Sequence, residues 1–209
     1  DTGTGAEIAR RFASSGYRVA MLARDAARLS VLEESIPGSR AFPCDVSDLD
    51  LLVSTIDQVS SEMGAPQVVV HNALRSVRGS FHELDPADLE KNFRVNTTAL
   101  AYLARATIPA MLKAGHGAIM VTGNTSATRG KAHWGYFAST KAAQRILAES
   151  IAREYGPQGI HVAYFIIDAS IDTPRTRAIL APDKPDDFFA KPTAIAEEVF
   201  RVAHQDRVR

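Results

Sequence analysis

Five short, nearly continuous apolar runs alternate with longer stretches of helical spacing, and that rhythm limits the possible folds more than any other feature. The runs cover residues 17–23, 39–44, 67–71, 117–122 and 160–167. Continuous rather than alternating hydrophobicity marks strands of a parallel sheet, because both of their faces are buried. Helical spacing covers 5–14, 26–35, 48–63, 86–113, 135–155 and 193–204. Asp48 is placed to cap the third of these, and Gly115 and Gly156 stand where helices stop. No repeat or low-complexity linker interrupts the series. Residues 1–209 therefore read as a single α/β domain built on a doubly wound parallel sheet, with its ligand crevice beyond the C-terminal strand ends.

One strand is missing from the rhythm. Asp1-Thr2-Gly3-Thr4-Gly5 runs directly into a helix, whereas a dinucleotide-binding unit places a strand before its glycine turn. About ten upstream residues, holding that strand and one more glycine, are expected in the native protein. Val208-Arg209 reads as the stub of a further edge strand.

The 24 basic residues balance 24 acidic ones, which argues against nucleic acid or an anionic membrane as partner. No apolar run approaches the roughly 20 residues of a membrane-spanning helix. A single cysteine, Cys44, excludes an internal disulfide and cannot build a zinc site alone, so no metal is expected. It reads as a small buried apolar group. The expectation is a reduced, cytoplasmic, globular chain.

Several landmarks sit where this fold places ligand contacts. Gly3-x-Gly5 opening a helix would aim backbone N–H groups at a pyrophosphate, and Gly5 would allow close helix–strand packing. Arg24, after the run at 17–23, suits a 2′-phosphate, or is a solvated helix-start residue. Asp45 is placed to accept from an adenine amino group while Val46 covers the ring; a turn or cap aspartate is the bland alternative. Asn72-Ala73 ends the run at 67–71, where a small residue lets the backbone lie along a ribose. Asn96 sits mid-helix, where asparagine is a poor helix former, and is either the holder of a water in a proton relay or a satisfied core polar group.

In order and spacing these landmarks, with Lys141 and Ile171-Asp172-Thr173, resemble the short-chain dehydrogenase/reductase family over essentially the whole chain. The resemblance implies a Rossmann-type fold, NADP or NAD as cofactor, and a small carbonyl or alcohol as substrate. It also implies a homodimer or homotetramer formed through the helices at 86–113 and 135–155. Lys141 would bond the nicotinamide ribose, and Ile171 and Thr173 would meet the carboxamide.

The likeness breaks at the proton-transfer residues. In that family a tyrosine stands four positions before the lysine, so that phenol and ammonium share a helix face. Here that position is Phe137, and Tyr136 lies about 140° around from Lys141. The family's serine, 13 positions before its tyrosine, falls on Asn124, whose amide can still donate to a carbonyl oxygen. Thr125 and Ser126 are neighbouring hydroxyls. Proton transfer would fall to Tyr136 or to His133, which with Trp134 is placed to line the substrate pocket. Asp168 and Ala169 stand where the family has Pro-Gly, and Asp168 is placed to pair, to cap a turn or to bind substrate. The segment 174–192 reads as a mobile lid over that pocket. The expected function is an NAD(P)-dependent oxidoreductase with atypical proton transfer; the alternative is an NADP-binding sensor or scaffold with little activity.

Overall fold

The computed structural model describes residues 3–180 and 182–205, so Asp1-Thr2 and the expected stub at Val208-Arg209 lie outside the described residues. Two compact units are resolved by their contacts, residues 3–43 with 168–205, and residues 44–167.

In the first unit, helix α1 (Thr4–Ala13) leads to strand β1 (Val19–Ala23), helix α2 (Ala26–Ser35) and strand β2 (Ser39–Pro43). Strands β1 and β2 pair in parallel, with Val19 opposite Ser39 and Ala23 opposite Pro43. Ala6, Ala9, Met21, Leu29, Leu32 and Ile36 form the core of this layer. The buried face of α1 is Thr4, Ala6, Ile8, Ala9 and Phe12, which leaves Gly5 exposed.

Later in the same unit come β6 (Ser170–Ile171), β7 (Phe189–Ala190) and helix α7 (Pro192–Ala203). The segment expected to be a lid holds more structure than its composition suggests. β6 and β7 pair in parallel, and Asp172 N donates to Ala190 O at 2.9 Å. Arg177 clasps the segment from within, bonding Asp172 through both Nε (2.6 Å) and Nη2 (3.0 Å), and Asp186 through Nη1 (2.7 Å). A bidentate guanidinium–carboxylate pair fixes geometry as well as charge.

The second unit is the layer that carries Lys141. Its strands β3 (Val68–His71), β4 (Gly117–Gly123) and β5 (Ile160–Ile166) pair in parallel in that order. Helix α3 (Leu49–Met63) is capped by Asp48, whose Oδ1 accepts from Leu51 N at 3.0 Å. Cys44 is 2% exposed, as its expected role as a small core group requires, and burial pushes its thiol pKa up. Leu100, Ile108, Met111, Ile119, Val121 and Ile151 knit β4 to the flanking helices.

The helix expected at 86–113 runs from Pro86 to Ala114 with one irregularity: its regular parts α4 (Pro86–Phe93) and α5 (Ala99–Ala114) are joined by a wide π-type turn at Arg94–Thr98 whose ends keep right-handed helical dihedrals. Asn96 lies in that turn, where an asparagine that disfavours a regular helix does least harm. Gly115 then ends α5 at φ 74°, a left-handed conformation in which glycine avoids a Cβ clash. Helix α6 (Gly135–Tyr155) matches its expected limits. Ile146 falls on the outer face of α6 and is 51% exposed.

Candidate active site

The C-terminal ends of β3 and β4 gather the polar groups of the second unit. Asn72, directly after β3, accepts from Thr122 Oγ1 at 2.9 Å. Ala73 follows it, half-buried, so one side chain of this pair is committed to the neighbouring strand. Asn124 follows β4 and caps the short turn Thr125–Ala127, its Oδ1 accepting from Ser126 N at 3.0 Å. That bond fixes the amide plane with Nδ2 as its remaining donor, which suits the expected polarising role.

Lys141 is 2% exposed. Its ammonium donates to Thr122 O at 2.9 Å and to Gln144 Oε1. Burial pulls its pKa down to about 8. Gln144 is 0% exposed, and its Nε2 donates to Asn96 O at 2.5 Å. Gln144 went unnoticed in the sequence, although a glutamine three positions after Lys141 on a buried helix face was the available signal.

The Asn96 side chain is fully occupied. Its Oδ1 accepts from Arg75 N at 2.9 Å, and its Nδ2 donates to Arg75 O at 2.8 Å and to Thr140 Oγ1 at 2.9 Å. The satisfied-core account therefore describes the amide, which staples the segment after β3 to α6. Its main-chain carbonyl meets Gln144 instead. Next to this cluster His71 is 3% exposed, with Nε2 lacking a hydrogen-bond partner. Burial, helped by the Lys141 charge, lowers its pKa to about 4 and keeps the ring neutral.

Tyr136 and Phe137 lie inside regular α-helix, so no bulge brings the phenol onto the lysine's face. The Tyr136 hydroxyl donates to Leu84 O at 3.4 Å, and its ring packs edge-on against Phe81 at 5.4 Å. This fastens the loop before α4 to the start of α6. Phe137 is 4% exposed, and its ring lies 5.8 Å from the Trp134 ring. His133 is exposed and adopts φ 66°, a strained backbone for a non-glycine residue, and its carbonyl accepts from Gly79 N at 3.1 Å.

Tyr164 was not singled out by sequence. Its ring lies so close to Gly123 that an added Cβ would meet it at 2.0 Å, and its hydroxyl donates to Lys141 O at 3.4 Å. Burial raises this phenol to about 12, so it stays protonated.

Other expected contacts take plainer positions. Asp45 Oδ1 accepts from Ser47 N at 2.9 Å and from Ser47 Oγ at 2.7 Å, the turn-aspartate arrangement, with Val46 half-buried beside it. In the first unit Gly3 is the N-cap of α1 without a side-chain cap, and Arg24 is exposed between β1 and Asp25, the N-cap of α2. Ile171 is half-buried in β6, while Thr173 Oγ1 accepts from Thr176 N at 3.1 Å.

A family model for enoyl-(acyl carrier protein) reductases matches residues 1–202. An uncharacterized short-chain type dehydrogenase/reductase of Sinorhizobium fredii is 32% identical over 167 residues, 77% of this chain and 66% of its own length. The chain belongs to the short-chain dehydrogenase/reductase family. A second relative, cis-4-hydroxycyclohexanecarboxylate dehydrogenase of Sinomonas cyclohexanicum, is 30% identical over 95% of this chain and 84% of its own. The crystal structure of a metagenomic short-chain oxidoreductase in complex with NADP matches with a TM-score of 0.85 at 26% identity, covering 98% of this chain and 87% of the other. The fold is thus the doubly wound α/β sheet of the family. This chain spans 66% and 53% of the lengths of two curated relatives it matches. No described helix is long and apolar enough to cross a membrane.

Proposed function

We infer that this chain is an NADP-preferring oxidoreductase acting between the nicotinamide and a carbonyl or alcohol carbon of a small molecule. The observation that carries the reading is Lys141. It keeps the family's position and is buried at the C-terminal edge of β4, with its ammonium held on Thr122 O.

The residues present fit a dinucleotide. Gly3 leaves the first N–H groups of α1 without a side-chain cap, as a pyrophosphate requires. Arg24, exposed, supplies a cation for a 2′-phosphate. The remaining contacts assigned by likeness are Gly5, Asp45, Val46, Asn72, Ala73, Ile171 and Thr173. When bound, the nicotinamide supplies the hydride chemistry. Lys141 binds the ribose, Asn96 supports it through Gln144, and Asn124 Nδ2 donates to the substrate oxygen. Proton exchange falls to Tyr136 or His133, and the Tyr136 hydroxyl already serves Leu84 O. The proposal includes one domain over residues 1–209, a cytoplasmic location, and a homodimer or homotetramer through α4, α5 and α6.

Titration with NADPH and NADH tests this reading. Native protein is expected to bind NADPH more tightly, Arg24→Ala to erase the preference, and Lys141→Ala to weaken NADPH by about tenfold. A panel of simple carbonyls should then show slow NADPH oxidation that Lys141→Ala abolishes and Tyr136→Phe preserves. Native protein that binds neither dinucleotide ends the proposal. Turnover lost in Tyr136→Phe would return the phenol to the mechanism.

A second reading is a cofactor-binding sensor or scaffold with little redox activity. Phe137 and Asn124 favour it, because neither can relay a proton as the family's phenol and hydroxyl do. Tight NADPH binding with no turnover on any carbonyl would select it.

A further inference from the structure

Two hydrogen bonds run in series through the interior of the second unit. The Lys141 ammonium donates to Gln144 Oε1, and Gln144 Nε2 donates to the Asn96 carbonyl at 2.5 Å. Both ends of the glutamine amide are thereby spent on groups that are themselves buried. We propose that Gln144 is a positioning residue, which ties the Lys141 ammonium to the main chain of the wide turn at Arg94–Thr98 and so aims its remaining N–H donor.

The argument rests on degrees of freedom. A lysine ammonium sits on a flexible four-carbon stem and carries three rotating donors. One bond to Thr122 O leaves the head free to swing about that bond. A second bond, to an oxygen on the same helix three residues on, removes the swing and leaves the third proton one direction. The amide is itself anchored by Asn96, whose side chain is locked onto Arg75 and Thr140. Volume alone would not call for glutamine here. A leucine fills similar space without the cost of burying an amide, which is tolerable only when both of its ends are paired.

The other titratable groups facing Lys141 come from neighbouring strands. His71 at the end of β3 is neutral, and the Tyr164 ring of β5 has its centroid 5.9 Å from Nζ. Neither supplies a carboxylate. Gln144 is therefore the side-chain acceptor that the ammonium uses among the described residues.

The geometry stands on its own, and only its consequence for cofactor affinity rests on the oxidoreductase reading. Side-chain NMR of lysine-labelled full chain would follow the Lys141 titration directly, with Lys141→Met assigning the signal. Gln144→Leu removes an acceptor of the charged form and is expected to lower the Lys141 midpoint by about one unit or more. Gln144→Glu keeps size and acceptor but adds a negative charge, and is expected to raise it. In Gln144→Leu the NADPH Kd should also rise by about tenfold. An unchanged Lys141 midpoint in a folded variant overturns the proposal, and Gln144→Glu decides alone if the leucine variant does not fold. Midpoints that move as stated in a protein that binds neither NADPH nor NADH refute the cofactor reading and leave the role of Gln144 standing.

Discussion

Phe137→Tyr combined with Asn124→Ser is expected to raise kcat/KM on simple carbonyls by about 100-fold or more, the usual contribution of a positioned proton donor. Residue 137 is one helical turn before Lys141, so a phenol there shares the lysine's face, which Tyr136 does not. Serine at 124 keeps a side chain able to cap Thr125–Ala127, so the turn should survive the change. The added phenol oxygen enters a site that is 4% exposed, and it needs a partner or costs about 1–3 kcal/mol. Steady-state rates and a thermal melt, taken together on native, single and double variants, check the expectation. A double variant that folds like the native protein and gains nothing would mean that residues 124 and 137 do not face a carbonyl substrate.

Acidification from pH 6.5 to 4 is expected to cost the fold roughly 3 kcal/mol through His71 alone. The folded protein holds this ring neutral down to about pH 4, mainly because burial disfavours its charged form. In the unfolded chain the same group takes up a proton near 6.5. Within that window the unfolded state binds more protons, so stability falls as pH falls, and the contribution is complete above 6.5. His71→Leu removes the titrating group. Urea unfolding of native and variant at pH 7, 6, 5 and 4 should give curves that diverge with acid, the native protein losing more. Parallel pH profiles would show that His71 does not titrate as its burial requires.

The elements were legible because each is set by local periodicity. Helix α2 begins at Ala26 and α6 at Gly135, as spacing alone indicates, and Asp48 caps α3 with its own side chain. The departures come where a distant residue changes the outcome. Apolar spacing runs unbroken through 86–113, yet Asn96 bonds Arg75, 21 positions away, and lies in the wide turn that separates α4 from α5. The segment 174–192 reads from its sequence as a mobile lid because the bonds of Arg177 to Asp172 and Asp186 leave no periodic trace.

The candidate site divides in the same way. That Phe137 rather than Tyr136 shares a face with Lys141 follows from spacing alone, since helix geometry converts sequence offset into angle. The doubly wound architecture likewise follows from continuous apolar runs separated by helices. Only the tertiary structure decided that Gln144 joins Lys141 to Asn96, that Tyr136 serves the loop at Leu84, and that Asn96 spends its amide on Arg75 and Thr140. These bonds pair residues with no repeating offset, and their geometry exists only after packing has brought the strand ends and helices together.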